Sequence, residues 1–86
     1  MTDQNLARAA ELASHIERVH GANHPELTRV REITLALQQS GNETRTVELF
    51  NELRTLTHNY ALPDDACEAF AATYQALERA DRQRAS

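Results

Sequence analysis

Four histidines, one cysteine and a Glu-x-x-His spacing are the residues of this chain that could do chemistry. Glu17-Arg18-Val19-His20 sets a carboxylate and an imidazole three residues apart. On a helix that spacing turns both toward one side, as in bundles that bind a pair of metals. One copy is too few for such a centre, which takes two of these motifs and two further carboxylates; a two-fold partner would bring the second. In the simpler reading, Glu17 flanks a bundle face and His20 ends a helix, where a cation suits the dipole. His20 and His24 are four apart, but Gly21 and Pro25 interrupt a continuous helix between them. A zinc site there needs two more ligands; His15 and Glu17 are the near ones, and a capping His24 with a packed His20 is the alternative. His58 falls late in a helical segment and suits the surface. Cys67 shares an apolar stripe with Phe70 and Tyr74. It is either a small buried hydrophobe or a redox-sensitive thiol activated by the nearby helix start and opposed by Asp64 and Asp65.

The elements that must position these residues all read as helices. Leu6, Ala9, Ala13, Ile16 and His20 recur at spacings of three and four, with Leu12 and Val19 widening the stripe, and predict a helix over 3–20. Gly21 is the expected stop, taken to adopt positive φ. Asn23 or His24 is the expected cap of a second helix over 25–39, which buries Leu27, Val30, Ile33 or Thr34, and Leu37. Ser40 and Glu43 have capping-box spacing, with Asn42 as an alternative cap, ahead of a helix over 43–59. Its apolar face is Val47, Leu49, Phe50, Leu53, Leu56 and Tyr60. Leu62-Pro63-Asp64-Asp65 predicts a fourth helix over 64–82, burying Ala66, Cys67, Phe70, Tyr74 and Leu77. The sequence is polar from Arg79 on and is expected to fray after about residue 82. With no strand alternation and no loop above about five residues, the fold class is all-α, a small up-down-up-down four-helix bundle in a single domain over 1–86.

Composition narrows the function. The net charge is −4, and all nine basic residues are Arg, interspersed with acidic ones. That disfavours a nucleic-acid surface, which clusters positive charge. No stretch approaches the length of a membrane span. A single Cys has no internal disulfide partner, which points to a reducing, cytoplasmic compartment. No serine-nucleophile motif, phosphate loop or Gly-rich turn is present, so no enzymatic activity is expected.

Two segments carry a family resemblance. Val19-His20-Gly21-Ala22-Asn23-His24-Pro25-Glu26-Leu27 is followed by Leu56-Thr57-His58-Asn59-Tyr60-Ala61-Leu62-Pro63-Asp64-Asp65-Ala66-Cys67, with Tyr74 and Leu77 beyond. In this order they resemble the hemerythrin-like di-iron proteins that repair damaged iron–sulfur clusters. The resemblance spans about residues 10–37 and 43–77 and implies a hemerythrin-like helical bundle. It also implies iron held by several His and Glu, of which His20 is the ligand carried over. Thr44 to Phe50 lacks the family's His, Glu43-Thr44 stands where a Glu-His pair is expected, and Arg82 to Ser86 stands where a final His and Glu would follow. The expected function is therefore a non-catalytic accessory or interaction protein without cofactor. The alternative is an iron-dependent stress or cluster-repair protein whose Glu17 and His20 share a metal between protomers. A homodimer is expected from the alanine-rich faces of the first helix (Ala7, Ala9, Ala10, Ala13) or the fourth (Ala69, Ala71, Ala72, Ala76, Ala80).

Overall fold

The computed structural model describes residues 4–85, so the expected helix start at Asp3 lies outside the described residues. Four helices follow one another: α1 (Gln4–His20), α2 (Glu26–Gln39), α3 (Glu43–Thr57) and α4 (Glu68–Ala85). With no strand among the described residues, the chain is a small all-α four-helix bundle.

Its tightest seam runs between α1 and α4, and α2 packs on the other flank of α1. Asn5 Nδ2 donates to Gln83 Oε1 at 3.1 Å near one end of the seam, and His20 meets Cys67 at the other. These two contacts make the helices antiparallel. Ala9, Ala13, Ala76 and Ala80 are all buried. Of the alanine faces read from the sequence, these four are buried within the chain, where small side chains let two backbones approach closely, while Ala7, Ala10, Ala69, Ala71 and Ala72 stay half-buried. Ile16, Leu27, Val30, Ile33, Leu49, Phe50, Leu53, Phe70 and Leu77 fill the rest of the core.

α3 is held differently. It packs on α2, where Arg29 makes a two-pronged bond to Glu52, 2.6 Å from Nε and 2.7 Å from Nη2. It reaches α4 through long side chains: Arg84 pairs with Glu43 and lays its guanidinium over the Phe50 ring. Arg54 donates to the Asp81 carboxylate from Nε at 2.7 Å and from Nη2 at 2.5 Å, and the Tyr60 hydroxyl adds a third bond at 2.8 Å. Burial alone would raise the Asp81 pKa; the bonds from Arg54 and Tyr60 outweigh it and hold the carboxyl below its ordinary value. Burial, with help from the same carboxylate, holds the Tyr60 hydroxyl protonated far above its ordinary range.

Several boundaries differ from expectation. α3 ends at Thr57, not 59, because His58, Asn59 and Tyr60 take φ of 54°, 59° and 65°. Three consecutive non-glycine residues in the left-handed region end a helix abruptly. They are held by the Tyr60 N–H bonding Thr57 Oγ1 at 2.9 Å and the Asn59 N–H bonding the Arg54 carbonyl at 2.8 Å. α4 begins at Glu68, not 64, so the connection 58–67 is ten residues, twice the expected maximum. Its far end runs past the expected 82 and is helical to Ala85, with Asp81 buried. Asn42 is the cap of α3, its side chain accepting the Arg45 N–H. No side chain caps α2, so neither Asn23 nor His24 does. Val19 and Val47, placed on apolar stripes by their spacing, are exposed, and Leu56, Ala66 and Cys67 are half-buried.

Leu53→Ala and Phe70→Ala remove fully buried side chains, and each should cost about 2–5 kcal/mol in denaturant unfolding. Asp81→Asn should cost on the order of 2–3 kcal/mol at pH 7. The loss stays below that of a fully buried pair because the orphaned Arg54 reaches solvent. A carboxyl depressed below 3.8 stabilises the fold above that pH, and the contribution is lost as pH falls through the folded value. The gap between wild type and Asp81→Asn should therefore close in acid; a gap independent of pH would refute the role given to this carboxylate.

Candidate functional site

The α1–α2 turn and the 58–67 connection lie at the same end of the bundle, so the two segments singled out in the sequence meet in space. Gly21 permits the first turn by its size. A Cβ there would lie 2.4 Å from the Glu17 carbonyl oxygen, and its φ is not positive, contrary to expectation.

Two polar pairs span the junction. His20 ends α1, and its Nε2 lies 3.2 Å from Cys67 Sγ. Cys67 directly precedes α4, and its carbonyl accepts the Ala71 N–H. It is therefore not on the helical stripe its spacing suggested, but at the helix entrance, half-buried. His24 forms the second pair: its Nε2 is 2.8 and 3.0 Å from the two Asp65 oxygens, and its Nδ1 is 3.2 Å from Glu26 Oε2. Phe70 supports both, its ring centroid 5.4 Å from that of His20 and 5.5 Å from that of His24, each edge-on. Tyr74 packs edge-on behind it at 5.0 Å.

The electrostatics of the second pair are one-sided. The hydrogen bond that His24 donates to Asp65 raises the His24 pKa above its ordinary value, with Glu26 adding to the effect. His24 in turn holds the Asp65 carboxyl below its usual range. Burial, reinforced by the Glu26 charge, pushes the Tyr74 hydroxyl up to about 12.

Beside His24 lies a cleft of about 260 Å³ lined by His24, Glu26, Leu56, Thr57, His58, Ala61, Leu62, Pro63 and Tyr74. Both segments build its wall, and the left-handed stretch 58–60 shapes its rim. A second cleft, of about 380 Å³, opens beside Tyr60 and Asp81, but its charged groups are already paired: Arg54 with Asp81, and Arg82 with Glu78.

The other sequence candidates lie apart. Glu17 does not join His20: its carboxylate receives the Thr28 side chain and Arg31 Nε at 2.8 Å, which hold its pKa below the ordinary value. His15 is exposed, as is His58, whose backbone caps α3. Among the described residues, no three His, Cys, Asp or Glu side chains form a group able to hold a metal ion. Within a single chain, the described residues do not assemble the di-iron centre that the resemblance implies. Sequence reasoning missed the His24–Asp65 pair, whose partners lie 41 residues apart with no shared motif. It also missed Asp81, for which a signal existed: residues 70, 74, 77 and 81 keep helical spacing, which puts a carboxylate in register with the core.

Compared with protein-family models, curated proteins and solved structures, the chain matches none.

The His24 imidazole should titrate above 6.5 when followed by NMR, and Asp65→Asn should bring it down toward that value. Because the folded-state value is raised, the pair's contribution to stability is full below 6.5 and is lost as pH rises through the folded value. An unchanged His24 titration in Asp65→Asn would show that the pair does not form in solution.

Proposed function

We propose that this chain is a non-catalytic helical-bundle interaction module, related to the cluster-repair proteins, which binds a protein partner at the loop end of the bundle. The observation that carries this reading is the cleft beside His24. It is walled by both segments, bordered by the one run of left-handed backbone among the described residues, and flanked by the exposed side chain of Leu62. Non-glycine residues in that conformation cost energy, and such cost concentrates at binding sites. A cleft of about 260 Å³ admits a single large apolar side chain, the kind of anchor that dominates protein interfaces. Leu56, Ala61, Leu62 and Pro63 would contact that anchor, while His24, Glu26 and His58 would meet polar groups around it. The polar pairs at this end bond one another and the core ring, which suits a rigid docking surface more than a reaction centre.

A photocrosslinking residue at position 62, incorporated in the cells that make the protein, should trap one discrete partner protein; the same residue at position 45 on α3 should not. Leu62→Asp, an exposed change that leaves thermal stability intact, should weaken binding of that partner at least tenfold. Identical crosslinking from both positions, or a partner indifferent to Leu62→Asp, would defeat the proposal.

A further inference from the structure

One core phenol at the loop end has an oxygen without a partner. Tyr74 is 3% exposed and lines the cleft beside His24. Its ring packs on Phe70, but no described residue bonds its hydroxyl. Every fully buried side-chain polar atom among the described residues is bonded, so the unbonded Tyr74 oxygen opens into the cleft. A core phenol ordinarily finds a bond for its oxygen; this one faces a group that the chain itself does not supply. Glu26 lines the same cleft and is half used. Its Oε2 meets His24 Nδ1 at 3.2 Å, and no described residue bonds Oε1. The Glu26 charge helps to hold the Tyr74 hydroxyl protonated, which puts the carboxylate within electrostatic reach of the phenol. Two carboxylates, Glu26 and Asp65, flank the single imidazole of His24, so this part of the cleft keeps a negative excess even with His24 charged. Leu56, Ala61, Leu62 and Pro63 make much of the remaining lining apolar.

We infer that the cleft takes a lysine side chain of the partner, its ammonium bonded to Glu26 Oε1 and the Tyr74 hydroxyl and its methylene stem laid along Leu56, Leu62 and Pro63. The inference rests on the docking reading above and names the anchor that enters. An anchor with an apolar end would bury the Tyr74 hydroxyl and the free Glu26 oxygen with no partner, a cost that opposes binding. An anionic end would meet the charge of Glu26 and Asp65. A guanidinium seeks both oxygens of one carboxylate, and Oε2 of Glu26 is already engaged. An ammonium is a compact charge with three donors on a flexible apolar stem. It suits one free carboxylate oxygen and one hydroxyl beside an apolar lining, with the stem buried and the charge paired.

The test titrates the full chain with Nα-acetyl-lysine methylamide at pH 7 and follows backbone amide shifts by NMR. Saturable shifts are expected at residues 24–26, 61–63 and 74. The norleucine counterpart, which keeps the stem and lacks the ammonium, should bind about tenfold more weakly, as should the arginine counterpart. Tyr74→Phe removes one oxygen and keeps the ring on Phe70. It should leave the melting temperature near the wild-type value and weaken the lysine compound at least threefold; Glu26→Gln should weaken it about tenfold. A norleucine or arginine compound that binds as well as the lysine one overturns the inference. So does a folded Tyr74→Phe that binds as wild type, or the absence of saturable shifts. Those outcomes leave the docking reading standing if position 62 still traps a partner. An empty trap at position 62 overturns that reading, and the partner's lysine with it.

Discussion

The carboxylate of Asp81 is the constraint on which the less closely packed half of this molecule depends. It is almost fully buried, and a buried charge persists only when its oxygens are satisfied. Arg54 and Tyr60 satisfy them from two places, the body of α3 and the turn that ends it. One side chain on α4 thereby sets where α3 lies and how its backbone leaves the helix. Thr57 completes the arrangement: its hydroxyl donates to the Leu53 carbonyl at 2.8 Å and accepts the Tyr60 N–H. The left-handed run from His58 to Tyr60 follows from these fixed points, since both the phenol and the amide of Tyr60 have appointed partners.

One apolar core runs through all four helices, and what surrounds it differs between the two halves of the bundle. Between α1 and α4, alanines allow close approach and the contact is apolar along its length, with polar contacts at its ends. Between α3 and its neighbours, arginines span the gap: Arg29 to Glu52, Arg54 to Asp81, Arg84 to Glu43. A guanidinium reaches further than an apolar side chain and fits a carboxylate with two parallel bonds. The absence of lysine from the chain accords with that use. The exposed pairs, Arg29–Glu52 among them, contribute little energy in water and serve mainly to fix register. The shielded Asp81 cluster carries more.

At the loop end, a short turn and a long connection are brought together by the helices they serve. α1 delivers His20 to the entrance of α4, where Cys67 stands, and the turn ahead of α2 delivers His24 to Asp65, with Glu26 bonded to the other ring nitrogen of His24. Phe70, fully buried, is the floor for both imidazoles. Both imidazoles are held by a partner from the other segment, Cys67 for His20 and Asp65 for His24. That is how a small bundle holds polar groups at a defined geometry.

The sequence by itself determined the number and type of elements and most of the core. Periodic apolar positions such as Leu6, Ala9, Ala13 and Ile16, or Leu49, Phe50 and Leu53, report helical faces because burial acts on every third or fourth residue. It also singled out the two segments that form the loop end, and the spacing of residues 70, 74, 77 and 81 held the position of Asp81 for a reader who allowed a carboxylate into the core register. What only the tertiary structure decided is which polar residues meet. Glu17 and His20 share a spacing yet turn to different partners, Arg31 and Cys67. His24 finds Asp65, and Arg54 finds Asp81, across 41 and 27 residues. Of the alanines on the first and fourth helices, Ala9, Ala13, Ala76 and Ala80 are the ones the fold buries. The physical reason is one of range. Helical periodicity is a local property of the chain, written within a few turns, whereas hydrogen bonds between distant residues depend on how whole helices are aligned, and no short stretch of sequence records that alignment.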